Sequence, residues 1–236
     1  AVCSRWAEGW KATSEGRRRL RKVALDFPHE DLLGPRSLYM AVAPGGNELV
    51  VRSGFNVHIL ARDMSIVSRF EMPTSFGNVA ASEEFIYAIH NFDHITCHTH
   101  DGTGVVSYQD PDRVIGFPVL APGGLLFCVL NDDGDSSQDE IVALDAQTLQ
   151  PRHRFGLSLL KEACGMAVVG EELFVSDLGN DRLQVFSLAG EHRRSITGDW
   201  KRPTEVCFVK DRLYLVEAFD YDRDEEGNLI NPQLGR

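Results

Sequence analysis

GMAVVGEELFVSDLGNDRLQVFSLAG, residues 165–190, holds one complete structural phrase, and the rest of the chain rewrites it. The phrase is a small-apolar strand, a Gly- or Glu-bearing turn, an apolar strand, a polar loop, a third strand and a tight turn. Aligned on that last turn, the copies bring Glu15-Gly16, Asp63-Met64, Asp101-Gly102, Asp145-Ala146 and Ala189-Gly190 into register. The steps between them are 48, 38, 44 and 44 residues. Three or four strands recurring every 40–50 residues or so are the mark of a β-propeller, whose blades must stack to bury their faces.

Working outward, with strands a to d counted from the central channel, near-complete blades are predicted over 39–71, 78–108, 117–156 and 165–197. A further copy opens with EVCFV and RLYLVEA and leaves its strands c and d unaccounted for before Arg236. Val23, Leu25 and Phe27 alternate as a strand does. The expected fold is therefore all-β, a propeller of five to six blades truncated at one or both ends. Residues 17–236 form the propeller with its final blade incomplete; 1–16 are either part of a first blade or the tail of an upstream helical module. For the second option, VCSRW (2–6) resembles the end of an F-box.

Composition narrows the function classes. The 236 residues are 43% hydrophobic, enough for a large core, yet no apolar run approaches the roughly 20 residues that span a bilayer. Twenty-four Lys and Arg stand against 35 Asp and Glu, a net charge of −11 that repels phosphate backbones and disfavours RNA. Five cysteines, at 3, 97, 128, 164 and 207, follow no CxxC or recurring spacing, and three of them fall in apolar strand patterns. Buried free thiols and a cytoplasmic location are expected.

LFVSDLGNDRLQVFSLAG (173–190) closely resembles the NHL repeat, through Asp177, Asn180, Arg182, the strand Leu183-Gln184-Val185-Phe186 and the Gly190 turn. The match is specific over 165–203, fair in 78–108 and 204–217, and degraded elsewhere. In the second blade Ile89 and His94 are read at the Asp and Arg positions, and in the last copy Glu217 replaces the Asp. The resemblance implies a six-bladed propeller serving as a binding platform, as in tripartite-motif ubiquitin ligases. It also admits amidating lyases and, through calcium-dependent lactonases, other metal-dependent propeller enzymes.

Propeller connectivity itself locates a candidate site. Loops b–c and d–a emerge on one face, and here they carry the long, chemically varied segments: 131–138, 218–233, 28–37, 73–78 and 198–204. Loops on a rigid scaffold are where recognition concentrates. The partner-binding candidates are Trp200, Lys201 and Arg202, an aromatic flanked by cations; Asp177, Asn180 and Arg182; Phe92 and Asp93; Phe55; and Phe219 and Tyr221. Asp177 and Arg182 also bracket the b–c loop and are placed to hydrogen-bond it.

Asp220, Asp222 and Asp224 alternate as calcium-loop ligands do, as do Asn131, Asp133 and Asp135. Both lack the Gly and the final Glu of an EF-hand, and a solvated acidic loop is the plainer reading. His90, His94, Cys97, His98 and His100 have the residue types of a zinc site. On one strand, His94 to His100 spans about 20 Å at about 3.3 Å per residue, too far for one ion. RRRLRK (17–22) reads as a solvated outer strand ahead of a nuclear or RNA-facing signal. No GxSxG, HExxH or P-loop is present. The expected function is a non-catalytic platform for a protein or peptide partner, with substrate recruitment for ubiquitin ligation implied by the resemblance. A metal-dependent lactonase- or lyase-like enzyme is the first alternative, and single-stranded RNA binding the second.

Overall fold

The structure, a computed structural model, describes residues 38–43, 46–132, 138–209 and 212–217. It is a β-propeller of antiparallel sheets, each a meander in chain order. The first comprises β1 (Leu38–Val42), β2 (Glu48–Ser53), β3 (Asn56–Ala61) and β4 (Ile66–Glu71). The second comprises β5 (Val79–Ala81), β6 (Phe85–His90), β7 (His94–Thr99) and β8 (Gly104–Gln109). The third comprises β9 (Val114–Ala121), β10 (Leu125–Asn131), β11 (Asp139–Asp145) and β12 (Pro151–Leu160). The fourth comprises β13 (Ala163–Val169), β14 (Glu172–Asp177), β15 (Arg182–Ser187) and β16 (His192–Thr197). A fifth, two-stranded sheet pairs β17 (Pro203–Val209) with β18 (Arg212–Glu217).

The burial pattern follows position in the blade. Central strands such as β6 and β14 are buried along nearly their whole length, because both faces of the sheet pack against neighbouring blades. The outer strands β4, β8 and β16 share one alternation in which every second residue is exposed. Arg69, Glu71, Ser107, Gln109 and Arg193 put polar groups on the water-facing edge, alongside exposed Ile66, Val67 and Val105.

The core lies between sheets. Ile89, Ile95, Leu126, Leu130 and Val142 join the second sheet to the third. Phe127, Val129, Leu160, Leu173 and Phe186 join the third to the fourth. Val50, Ile59, Val79 and Ile86 join the first to the second. The innermost strands β1, β5, β9, β13 and β17 neighbour one another in that order around the channel.

Several expectations need adjustment. β12 runs to Leu160, beyond its expected end near Phe155, because Asp139 pairs with Leu160 while Ile141 pairs with Phe155, leaving a bulge between. Gly156 and Ser158 take positive φ inside that bulge. Cys97 and Cys128 are buried as expected, with burial pushing the Cys97 thiol up to about 11. Cys207 is exposed instead, because strand a of a propeller turns part of its surface toward the channel. The readings for residues 1–16, the basic run 17–22, and Asp133 and Asp135 fall outside the described residues, as do Phe219, Asp220, Tyr221, Asp222 and Asp224.

Candidate functional site at the loop-bearing channel mouth

The b–c and d–a loops are built around the residue that ends strand b. In the fourth sheet this is Asp177, fully buried. Its Oδ1 accepts the Lys161 backbone N–H (2.8 Å) and Asn180 Nδ2 (2.8 Å); its Oδ2 accepts Arg182 Nε (2.7 Å) and Gln184 Nε2 (3.1 Å). A buried carboxylate demands such compensation. One side chain therefore ties the b–c turn to the d–a segment ahead of β13. Asn180 and Arg182 are drawn into the same knot, with Asn180 ending a short 3-10 turn and remaining exposed.

The device recurs in the fifth sheet, where Glu217 stands across from Pro203 as Asp177 stands across from Ala163. Glu217 Oε1 accepts the Lys201 N–H at 2.6 Å. In the second sheet the pairing of His90 with His94 matches that of Asp177 with Arg182, so His90, not Ile89, occupies the Asp position. His90 Nδ1 lies 3.0 Å from Thr74 Oγ1, and Nε2 lies 2.7 Å from Thr96 Oγ1. Thr96 also lies 2.6 Å from His98 Nε2, and His90 stacks on His94 at 4.7 Å. The histidines thus join through a threonine hydroxyl and ring stacking. Burial, with His94 and Arg52 nearby, lowers the His90 pKa to about 4.

Arg52 is an element that motif reading passes over. It is fully buried at the second-to-last position of β2, and its guanidinium spans to the second sheet. Nη1 donates to Gly77 O (3.2 Å) and Ile89 O (2.5 Å), and Nη2 to Thr74 O (2.8 Å) and Thr74 Oγ1 (2.9 Å). Gly77 is required beside it: at φ +138° a Cβ would fall 2.0 Å from Ile89 O. A cation inside the apolar run ELVVRS was the available sequence signal.

Two arcs surround the channel mouth. On one side Phe76 packs edge-to-face between Tyr39 (5.5 Å) and Phe92 (5.1 Å), and it is 37% exposed. Phe92 adopts positive φ in the b–c turn and is half-buried, with exposed Asp93 beside it bound to Gln109 and His94. Phe55, in the first b–c turn, is 43% exposed. On the other side the arc is charged. Lys201 Nζ reaches Asp181 Oδ2 (3.0 Å), the Arg202 N–H reaches Asp181 Oδ1 (2.7 Å), and Arg202 Nη2 reaches Glu162 Oε2 (3.2 Å).

Trp200, expected exposed with its two cations, is buried. It packs with Ala167, Leu183 and Val206, and with half-buried Leu213 and Leu215, in the seam between the fourth and fifth sheets. A d–a loop must cross that seam, and an indole fills it with a large apolar surface. The triplet therefore splits, the aromatic serving the core and the cations the surface.

Between the arcs lies a cavity of about 290 Å³ lined by Tyr39, Asn78, Phe117, Met166 and Glu205, with contributions from the innermost strands of all five sheets. At the opposite end the channel widens to about 610 Å³ with an apolar wall that includes Val42, Ala81, Leu120 and Cys207. The channel is thus acidic and aromatic on the loop side and apolar on the other.

Compared with known proteins, the chain matches no family model, and no curated protein is significantly similar to it. Among the described residues, no group of three or more His, Cys, Asp or Glu is arranged to hold a metal ion, and no helix is long and apolar enough to cross a membrane.

Proposed function

We propose that this chain is a non-catalytic interaction platform of NHL-like type that binds a protein or peptide partner across its loop-bearing face. The observation that carries the reading is the aromatic arc, in which Phe76 stands exposed between Tyr39 and Phe92 beside the channel mouth. Exposed aromatics held by a rigid scaffold are the residues that supply most binding energy in protein interfaces. The charged arc of Lys201, Arg202, Asp181 and Glu162 supplies a polar rim that sets orientation. Recruitment of substrates for ubiquitin ligation is the role that the repeat resemblance suggests for such a platform.

The test is a paired capture from cells with photo-crosslinking. The variant Phe55→Ser/Phe76→Ser alters the loop face, and Val67→Ser, on the exposed outer strand β4, serves as the control. All three proteins should melt within a few degrees of one another. Wild type and V67S should capture the same partner, and the double variant should lose it. Equal capture by the double variant overturns the reading.

A further inference from the structure

The cavity at the loop-bearing mouth contains an acidic group that none of the described residues pairs. Glu205, on β17, contributes to its wall and is exposed to the solvent of the channel. Among the described residues, no hydrogen bond or ion pair engages its carboxylate. Among the described residues, Arg202 is paired with Glu162, Lys201 with Asp181 and Arg182 with Asp177. Burial alone raises the Glu205 pKa, as expected for a carboxylate partly stripped of water and given nothing in exchange.

The position is constrained by backbone. A Cβ on Gly165 would lie 2.3 Å from Glu205 Oε2 and 2.7 Å from Glu205 Cα, so glycine is the residue that lets β13 and β17 approach there. The opposing wall is aromatic, from Tyr39 and Phe117, with Met166 beside them. At about 290 Å³ the space sits at the lower limit of the roughly 300–1,000 Å³ of small-ligand sites, a size suited to one side chain.

We propose that this mouth receives the cationic side chain, lysine or arginine, of the partner peptide, with Glu205 as its counter-ion and Tyr39 and Phe117 as its walls. The proposal rests on the platform reading and specifies the partner's chemistry. A carboxylate facing a confined channel mouth gains a charge-assisted contact from a cation that arrives with the ligand, and aromatic walls attract the same cation through their π faces. The net charge of −11 steers basic partners toward the molecule. An aromatic residue beside the basic one would reach Phe76 on the rim.

The experiment uses the full chain with ¹³C-methyl methionine. Met166 reports from the cavity wall, and Met72, buried within the core of the first two sheets, reports on folding. The probes are acetyl-Gly-Phe-Arg-Phe-Gly-amide and the same peptide with neutral, isosteric citrulline for arginine. The arginine peptide should shift Met166 saturably and leave Met72 unmoved. Citrulline, or Glu205→Gln, should weaken binding by about threefold or more, since each removes one charge of a solvent-accessible ion pair. No Met166 shift, equal binding of the two peptides, unchanged affinity in E205Q, or an equal shift from calcium chloride each overturns the proposal. If it fails while F55S/F76S still loses its captured partner, the platform reading stands and only the channel assignment falls.

Discussion

Asp177 illustrates how far a single residue reaches in this molecule. Four donors converge on its carboxylate, one of them the backbone of a loop sixteen residues earlier in the chain. Replacing it with alanine leaves the Arg182 Nε–H and the Lys161 N–H together without their acceptor, while Arg182 Nη2 keeps Leu159 O. D177A is expected to lose about 3–5 kcal/mol in urea denaturation, and D177N distinctly less because the amide keeps an acceptor. Gly77→Ala meets Ile89 O directly at a φ that alanine disfavours, and a loss of more than about 2 kcal/mol is expected in the same measurement. These residues differ in legibility. Asp177 and Arg182 carry a recognisable repeat pattern, and their pairing could be anticipated from spacing. Trp200 could not be placed, because whether a loop aromatic faces solvent or a seam depends on the neighbouring blade, which local sequence does not encode. Glu205 had no signal at all: a charge in a strand reads as solvent-facing, and only the ring shows that the solvent there is a channel.

At the scale of elements, the seam between the first two sheets combines a buried cation with the buried His90 and half-buried His98 imidazoles. His90 and His98 both have pKa values lowered chiefly by burial. A histidine whose folded pKa lies below its unfolded value of about 6.5 favours the native state when neutral. That contribution is fully present above pH 6.5 and is lost as pH falls toward 4, the folded value for His90. The urea midpoint should therefore drop between pH 6.5 and 5. The full loss attributable to His90 is on the order of 3 kcal/mol, and His90→Gln should flatten the slope. Asp101, held down to about 2 by Thr99 and Thr103, titrates below this window, whereas Glu205 and Asp139, raised by burial, oppose the histidine slope. Arg52→Met tests the same seam from the other side. It leaves the carbonyls of Thr74, Gly77 and Ile89 without their donor, and a loss of about 3 kcal/mol is expected from equilibrium unfolding. Strand positions in this seam were readable from alternation and turn spacing, since burial on both faces writes continuous apolar runs. The clamp between sheets was not, because repeats describe each blade and a clamp belongs to two.

At the scale of the whole molecule, the order of sheets around the channel was legible early, because period is a global signal that survives where individual copies degrade. The face bearing the varied loops followed from connectivity alone. What the period could not supply is the difference between the two ends of the channel, one presenting Glu205 among aromatics and the other Val42, Leu120 and Cys207. A maleimide added to the folded protein should modify Cys207 well before Cys97 or Cys128, which have no exposed surface, as read by mass spectrometry of digested samples.

The carboxylate at the end of strand b is bound to the chain just ahead of strand a, in the fourth sheet and again in the fifth. In those two sheets the loops on that face consequently start and finish at a fixed post. Substitutions at the exposed positions between the posts, unlike those at Trp200, alter what is displayed without disturbing the blades beneath. Divergence over evolutionary time should accumulate in those intervals and spare the posts, so that descendants of one ancestral ring come to greet different partners while sharing the same foundations.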